Sequence, residues 1–273
     1  MFKDLKRRLF PDKYLLRDNV KRLVGIERKI SEYQGVLDYL IAASSLKSDD
    51  IKDLAYFFHL KRRESKSQIF QDLWVLWEMK GKTGGFFVEF GAADGVALSN
   101  TYLLEEKYGW TGILAEPMPD WHPKLKRRKA IIDTRCVWAT SKEKLPFFCS
   151  IIPELSGLEK TADQDGHSGN RKNAKQVEVE TVSLYDLLKE HHAPKIVDYL
   201  SVDTEGSEYE ILSHFDFASY QINLITVEHN HSETRQKIYD LLTRNGYLRV
   251  FEEFSNCDDW YVHQSLRTSQ PPS

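Results

Sequence analysis

Glu89, Gly91, Asp94 and Gly95 stand in the run Phe86 to Gly95, Phe-Phe-Val-Glu-Phe-Gly-Ala-Ala-Asp-Gly, where an apolar stretch meets an acid and then a glycine-rich turn. Glycines at such a turn let a ligand approach the main chain closely, and open α/β sheets collect ligands at the carboxyl ends of their strands. The spacing excludes two nucleotide sites. A dinucleotide fold wants G-x-G-x-x-G and a phosphate-binding loop wants G-x-x-x-x-G-K-[ST], and neither occurs around this turn. Two carboxylates beside the turn would repel a phosphate and attract an ammonium or a sulfonium. S-adenosylmethionine carries both of those charges at its methionine end. Gly91, Ala92 and Gly95 would line the turn, and Ser99 and Asn100 would open the following helix, whose first N–H groups have no partner within the helix.

A second acid follows in register. The run Tyr108 to Pro117 reads as a strand ending in Glu116 and Pro117, and an acid at the end of the second strand is where Rossmann-like sites hold a ribose diol. A third block, Ile196 to Leu212, delivers Asp203 at a strand tip, with Glu205, Gly206 and Glu208 at the helix start beyond it. A fourth, Leu224 to His231, ends in Glu228-His229-Asn230-His231. Both tips would open on the same edge as the glycine turn. An alcohol acceptor, which the family resemblance described below implies, is a poor nucleophile at neutral pH and needs a general base or a cation that lowers its pKa. The expected base is His229 or Asp203, oriented by Glu205 and Glu228. The competing arrangement is a Mg²⁺-type ion held by Asp203, Glu228 and the side-chain oxygen of Asn230. Glu208 and Glu210 read as acids stabilised in the first turn of a helix.

Three runs carry a wider likeness: E-x-G-A-x-D-G at Glu89 to Gly95, L-x-E-P-x-P at Leu114 to Pro119, and S-x-D-T-E-G-S-E-x-x-I-L at Ser201 to Leu212. In this order the chain resembles the FkbM-type S-adenosylmethionine-dependent methyltransferases. Leu98-Ser99-Asn100-Thr101, Gly109-Trp110-Thr111-Gly112 and Asp258-Asp259-Trp260 also look like that family's pattern, and the likeness runs roughly from Ser67 to Val262. The resemblance implies a Rossmann-like class I sheet, mostly parallel with an antiparallel last strand. It implies S-adenosylmethionine as cofactor and methyl transfer to oxygen, with a sugar hydroxyl of a polysaccharide, glycolipid or secondary metabolite as acceptor. It also places Gln68 beside the cofactor's methionine end. Two alternatives stay open: a methyltransferase-fold interaction module without catalysis, and a methyltransferase acting on nitrogen or on a protein side chain.

The 273 residues suffice for one large α/β domain and an extension. Hydrophobic residues make up 41%, enough for a folded globule. Residues 1–66 hold sixteen Lys and Arg against ten Asp and Glu, net +6, so the overall −3 leaves −9 on residues 67–273. An acidic catalytic domain is a poor partner for nucleic acid. Cys136, Cys149 and Cys257 form no C-x-x-C pair, so neither a disulfide framework nor a zinc site is indicated, and a cytoplasmic home is expected. No apolar run is long enough to span a bilayer. The opening Met-Phe-Lys-Asp-Leu-Lys-Arg-Arg-Leu-Phe could touch an anionic membrane surface, although packing of its Phe2, Leu5 and Leu9 stripe on the protein is the stronger expectation.

Apolar spacing from Lys13 to about Arg63 predicts a helical extension over residues 1–66, able to cover the site, dimerise or complete the core, followed by a catalytic domain over 67–273. Within the latter the pattern predicts a third strand over Ile131 to Ala139, a further arm over Leu145 to Ile151 and a polar lid-like loop over Pro153 to Gln176. A helix over Val182 to His191 and strands over Ile196 to Val202 and Leu224 to Glu228 come next. After a helix capped by Ser232 and stopped at Gly246, an antiparallel pair, Leu248 to Phe251 and Trp260 to His263, closes the sheet.

Overall fold

A computed structural model describes residues 49–149, 157–158 and 175–268. Three expectations, the Phe2, Leu5 and Leu9 stripe of the opening residues, the helices over residues 13–48 and most of the 153–176 loop, therefore lie outside the described residues. The chain divides into two units, residues 1–60 and 61–273. In the first, helix α1 (Asp49–Lys61) starts with two acids in its first turn, where the helix dipole favours negative charge. No helix among the described residues is long and apolar enough to cross a membrane.

The second unit alternates strands and helices: α2 (Gln71–Glu78), β1 (Phe86–Phe90), α3 (Tyr102–Tyr108), β2 (Thr111–Ala115), α4 (His122–Leu125) and β3 (Ile131–Asp133). Then come β4 (Cys136–Trp138), β5 (Lys144–Cys149), β6 (Gly157–Leu158), β7 (Lys175–Ser183), α5 (Leu184–Glu190), β8 (Ile196–Val202), α6 (Glu208–Ser213), β9 (Gln221–Glu228), α7 (Thr234–Arg244), β10 (Tyr247–Val250) and β11 (Asp258–His263). Seven strands form one sheet in the order β10-β11-β9-β8-β1-β2-β3. The five strands from β9 to β3 run parallel, while β11 is antiparallel to both β9 and β10. This is the Rossmann-like class I sheet that the resemblance implies.

Burial on both faces explains the composition of the central strands. β8 is buried from Val197 onward, and Val88, Phe90, Leu200, Val202, Ile225 and Val227 pack with Leu187 and Leu188 of α5, Ile211 and Leu212 of α6, and Ile238 and Leu242 of α7. Asp198 is the one acid inside β8. It sits toward the amino end, where Lys82 Nζ donates to both its oxygens at 2.7 and 2.8 Å and the Phe86 N–H and Asn223 amide add further bonds. Structural charge is thus kept at the end of the sheet away from the glycine turn.

Besides the cap of α7, which falls at Glu233 rather than the expected Ser232 and carries no side-chain bond, three boundaries differ from the sequence pattern. The single strand expected over Ile131 to Ala139 is two: Asp133 accepts from the Arg135 N–H at 2.9 Å and from its guanidinium, and this turn sends β3 into the main sheet and β4 into another. That second sheet has the order β4-β7-β5-β6. Its longest member, β7, occupies the end of the expected polar loop and the start of the expected helix. Thr181 and Val182 are strand, and α5 begins only after Ser183, whose hydroxyl accepts from the Asp186 N–H at 3.1 Å. Third, the helix expected to open at Ser99 and Asn100 begins at Tyr102, with Ser99 Oγ accepting from the N–H groups of Thr101 and Tyr102.

Candidate active site

β1, β2, β8 and β9 end side by side, and their tips floor a cavity of about 380 Å³. Gly91 leaves β1 at φ 68°, and a Cβ there would lie 1.9 Å from the Asp203 carbonyl oxygen, so only glycine lets the first and fourth parallel strand tips meet. Gly95 turns at φ 76° under Leu125 and Arg128, 2.9 Å from a Leu125 methyl if it carried a Cβ, and does not line the cavity.

The acids around this turn are engaged by the protein's own donors. Glu89 is buried at the cavity wall; one oxygen accepts from the Asn100 N–H at 2.7 Å, the other from the Ser99 and Thr101 hydroxyls at 3.0 and 2.5 Å. Burial pushes its pKa up, against the nearby Arg128 and these hydrogen bonds. Glu116 accepts from the Ala93 N–H at 2.9 Å and the Met118 N–H at 2.8 Å, tying the glycine loop to the β2 tip. Burial, only partly offset by those bonds, carries it up to about 7. Each of its oxygens keeps a second lone pair for a ligand. Asp94 is placed otherwise than its residue type suggested. It does not line the cavity; Oδ1 closes a turn by accepting from the Val96 and Ala97 N–H groups at 2.9 and 2.8 Å, and Oδ2 lies 3.8 Å from Lys124.

A residue that sequence reasoning missed holds the loop from behind. Arg128 is buried, with Nε donating to Glu105 at 2.8 Å, Nη1 to the Gly95 carbonyl at 2.6 Å and to Ser99 at 3.2 Å, and Nη2 to Thr101 at 3.0 Å. Glu105 completes the pair by accepting from the Lys129 and Ala130 N–H groups. Arg128 lies in the basic run Lys126-Arg127-Arg128-Lys129, which reads as a solvated surface, and no local spacing marks one of the four as buried.

Across the cavity stand Asp203, Glu205 and Glu228, each able to bring one carboxylate oxygen within 4.8 Å of the others. Asp203 and Glu228 share a hydrogen bond. Burial raises both acids, and the charge of Asp203 pushes Glu228 much further, so of the two Glu228 holds the proton and Asp203 accepts the bond. The backbone at Glu205 is left-handed (φ 57°), and Glu208 folds back to accept from the Thr204 and Gly206 N–H groups at 2.9 and 3.1 Å, so this acid is a clasp for the 203–207 turn. Asn230, also left-handed at φ 42°, lines the same cavity.

His229 does not face this chemistry. Its Nε2 meets the Asp258 carbonyl oxygen at 2.9 Å and its Nδ1 accepts from the His231 N–H at 2.9 Å, so the ring is a neutral Nε2–H tautomer with both nitrogens occupied. Burial lowers its pKa, and it is absent from the cavity wall. The strand period explains why: Glu228 and His229 are consecutive, and successive side chains leave a strand on opposite sides. Of the two candidate bases, only Asp203 lines the cavity.

Gln68, Ala92, Ser99, Asn100 and Pro117 all line the cavity. So does Gln71, absent from the sequence-level candidates, which donates to Asp258 at 2.9 Å and fastens α2 to β11. Beyond Glu116 the wall is apolar: Trp121, Val137 and Phe147, the last two from the second sheet. Among the described residues that line the cavity there is no Lys or Arg, against five carboxylates. Such a wall favours a ligand with positive charge at one end and an apolar, ring-bearing body at the other.

The sheet order and a cavity at the carboxyl edge define a class I, Rossmann-like methyltransferase. The family model of the Methyltransferase FkbM domain matches residues 89–258, more than half of the chain, and the chain belongs to that family. It is accordingly an S-adenosylmethionine-dependent methyltransferase. No curated protein matches the chain. Among solved structures it is similar to a precorrin-6y C5,15-methyltransferase from Geobacter metallireducens (12% identity over 70% of this chain and 85% of that one, TM-score 0.36). It is also similar to a putative RNA methyltransferase from Pyrococcus horikoshii (12%, 83% and 96%, 0.35) and to a human methyltransferase 10 domain containing protein (14%, 80% and 97%, 0.36).

Proposed function

We propose that the chain is an O-methyltransferase that methylates a hydroxyl of a sugar, in a glycan or a glycosylated metabolite. The observation that carries this reading is Asp203: a carboxylate on the cavity wall, at a parallel strand tip, hydrogen-bonded to a carboxyl that already holds its own proton. Attack by the acceptor oxygen on the methyl carbon forms the C–O bond as the C–S bond breaks. The electron pair stays on sulfur, giving S-adenosylhomocysteine, and the hydroxyl proton passes to Asp203. The sulfonium already activates the carbon, so alignment of the two substrates supplies most of the remaining rate. Gln68 and the Ser99–Asn100 turn bind the cofactor together with Glu89 and Glu116.

A second reading of the same tips is a divalent cation that lowers the pKa of the acceptor hydroxyl. Geometry favours Asp203, Glu205 and Glu228 as its oxygen ligands, with Glu205 in the place first given to Asn230. A screen of hydroxylated glycans beside amine-bearing counterparts, read by mass spectrometry for a 14-Da gain with and without chelator, tests both readings. Transfer that survives chelation supports the base, transfer that stops supports the cation, and transfer only to amines contradicts both.

A further inference from the structure

We propose that Asn100 is the acceptor that reads the α-ammonium of the cofactor's methionine end. The inference rests on the cofactor assignment above. Asn100 is only 7% exposed and lines the cavity. Its Nδ2 donates to Ser201 Oγ at 2.9 Å. Because Ser201 accepts from Asn100, the Asn100 oxygen is the atom left over, and Oδ1 is buried with no hydrogen-bond partner. Buried acceptors in native proteins are almost always satisfied, and one left orphaned at a cavity wall marks a place for a ligand's donor.

The cofactor's own shape selects the donor. Its ribose diol belongs at Glu116 on the β2 tip, and its base then lies toward Trp121, Val137 and Phe147. The methionine end must run the other way, across β1 toward β8, where Asn100 and Ser201 stand. Of the groups at that end only the ammonium donates hydrogen bonds. Glu89, which takes the Asn100 N–H, adds a carboxylate on the same wall.

The test is calorimetric titration of the full chain with S-adenosylhomocysteine and with its des-amino analogue, which lacks only the ammonium. Wild-type protein is expected to prefer the parent compound. Asn100→Leu is expected to weaken the parent by about tenfold to a hundredfold, the range for a hydrogen bond to a charged group, while the analogue keeps its affinity within about twofold. Equal weakening of both ligands, or none of either, overturns the proposal. Ser201→Ala keeps the amide but frees its orientation; a smaller loss confined to the parent supports the same role and decides the matter if the leucine variant does not fold, and full retention of the preference overturns it. Wild-type protein that binds neither ligand refutes the cofactor assignment itself, which separates that failure from this one.

Discussion

Two sets of acids face each other across the cavity, and they differ in what holds them. On the glycine-loop side, Glu89 and Glu116 at the wall, and Asp94 set back from it, each accept at least two bonds from the protein's own N–H or hydroxyl groups, and a buried arginine braces the loop from behind. On the side of β8 and β9, Asp203 and Glu228 bond mainly to one another and crowd against Glu205. The first set is architecture with spare lone pairs; the second is a group of carboxylates kept close together at a desolvation cost. Residue type alone does not separate binding from chemistry here, whereas the identity of each acid's donors does.

The contrast can be broken at several points. The largest effect is expected at Asp203→Asn, which removes the proton acceptor and keeps the shape: turnover falls about 10²- to 10⁴-fold while S-adenosylhomocysteine affinity stays within about threefold. A parallel loss of affinity, seen by calorimetry beside single-turnover rates, would place Asp203 with the binding set. Next is Arg128→Met, which leaves Glu105 charged and buried without its partner. Breaking a buried pair this way costs about 3–5 kcal/mol, so the thermal midpoint should drop by several degrees. A midpoint within one degree of wild type would show that the loop does not depend on this brace.

Glu116 yields the pH signature. Burial raises it to about 7, so on this group's account stability is highest below its ordinary value near 4.5 and is lost as pH rises through about 7. Ligand affinity runs the opposite way, because the ribose diol needs the carboxylate. From pH 8 down to pH 6 the affinity for S-adenosylhomocysteine should fall about tenfold, and Glu116→Gln should flatten the curve; an unchanged slope in that variant would remove Glu116 from the ribose site. The smallest effect is expected at Asp94→Asn, which keeps the turn-closing oxygen and loses only the distant Lys124 contact, leaving affinity within about threefold. A tenfold loss would return Asp94 to the cofactor.

How much of this could be read in advance depended on the range of each determinant. The tips of β1, β2, β8 and β9 were legible because each joins a buried apolar run to an acid within a few residues. The alternating Gln176-Val177-Glu178-Val179-Glu180 of β7 carried a strand signal too, obscured by the polar stretch before it. Arg128 could not be found locally, since its partners Gly95, Ser99 and Thr101 lie 27 to 33 positions away. His229 stood beside a cavity residue in the chain, and the two-residue period of the strand turned it to the other side.

Calorimetric titration of the purified chain with S-adenosylhomocysteine, run beside NAD, tests the central claim most directly. Saturable one-to-one binding of the homocysteine product with no response to NAD is the predicted result. Absence of binding at pH 8, where Glu116 is ionised, would contradict the assignment of this acidic cavity to the methyl donor.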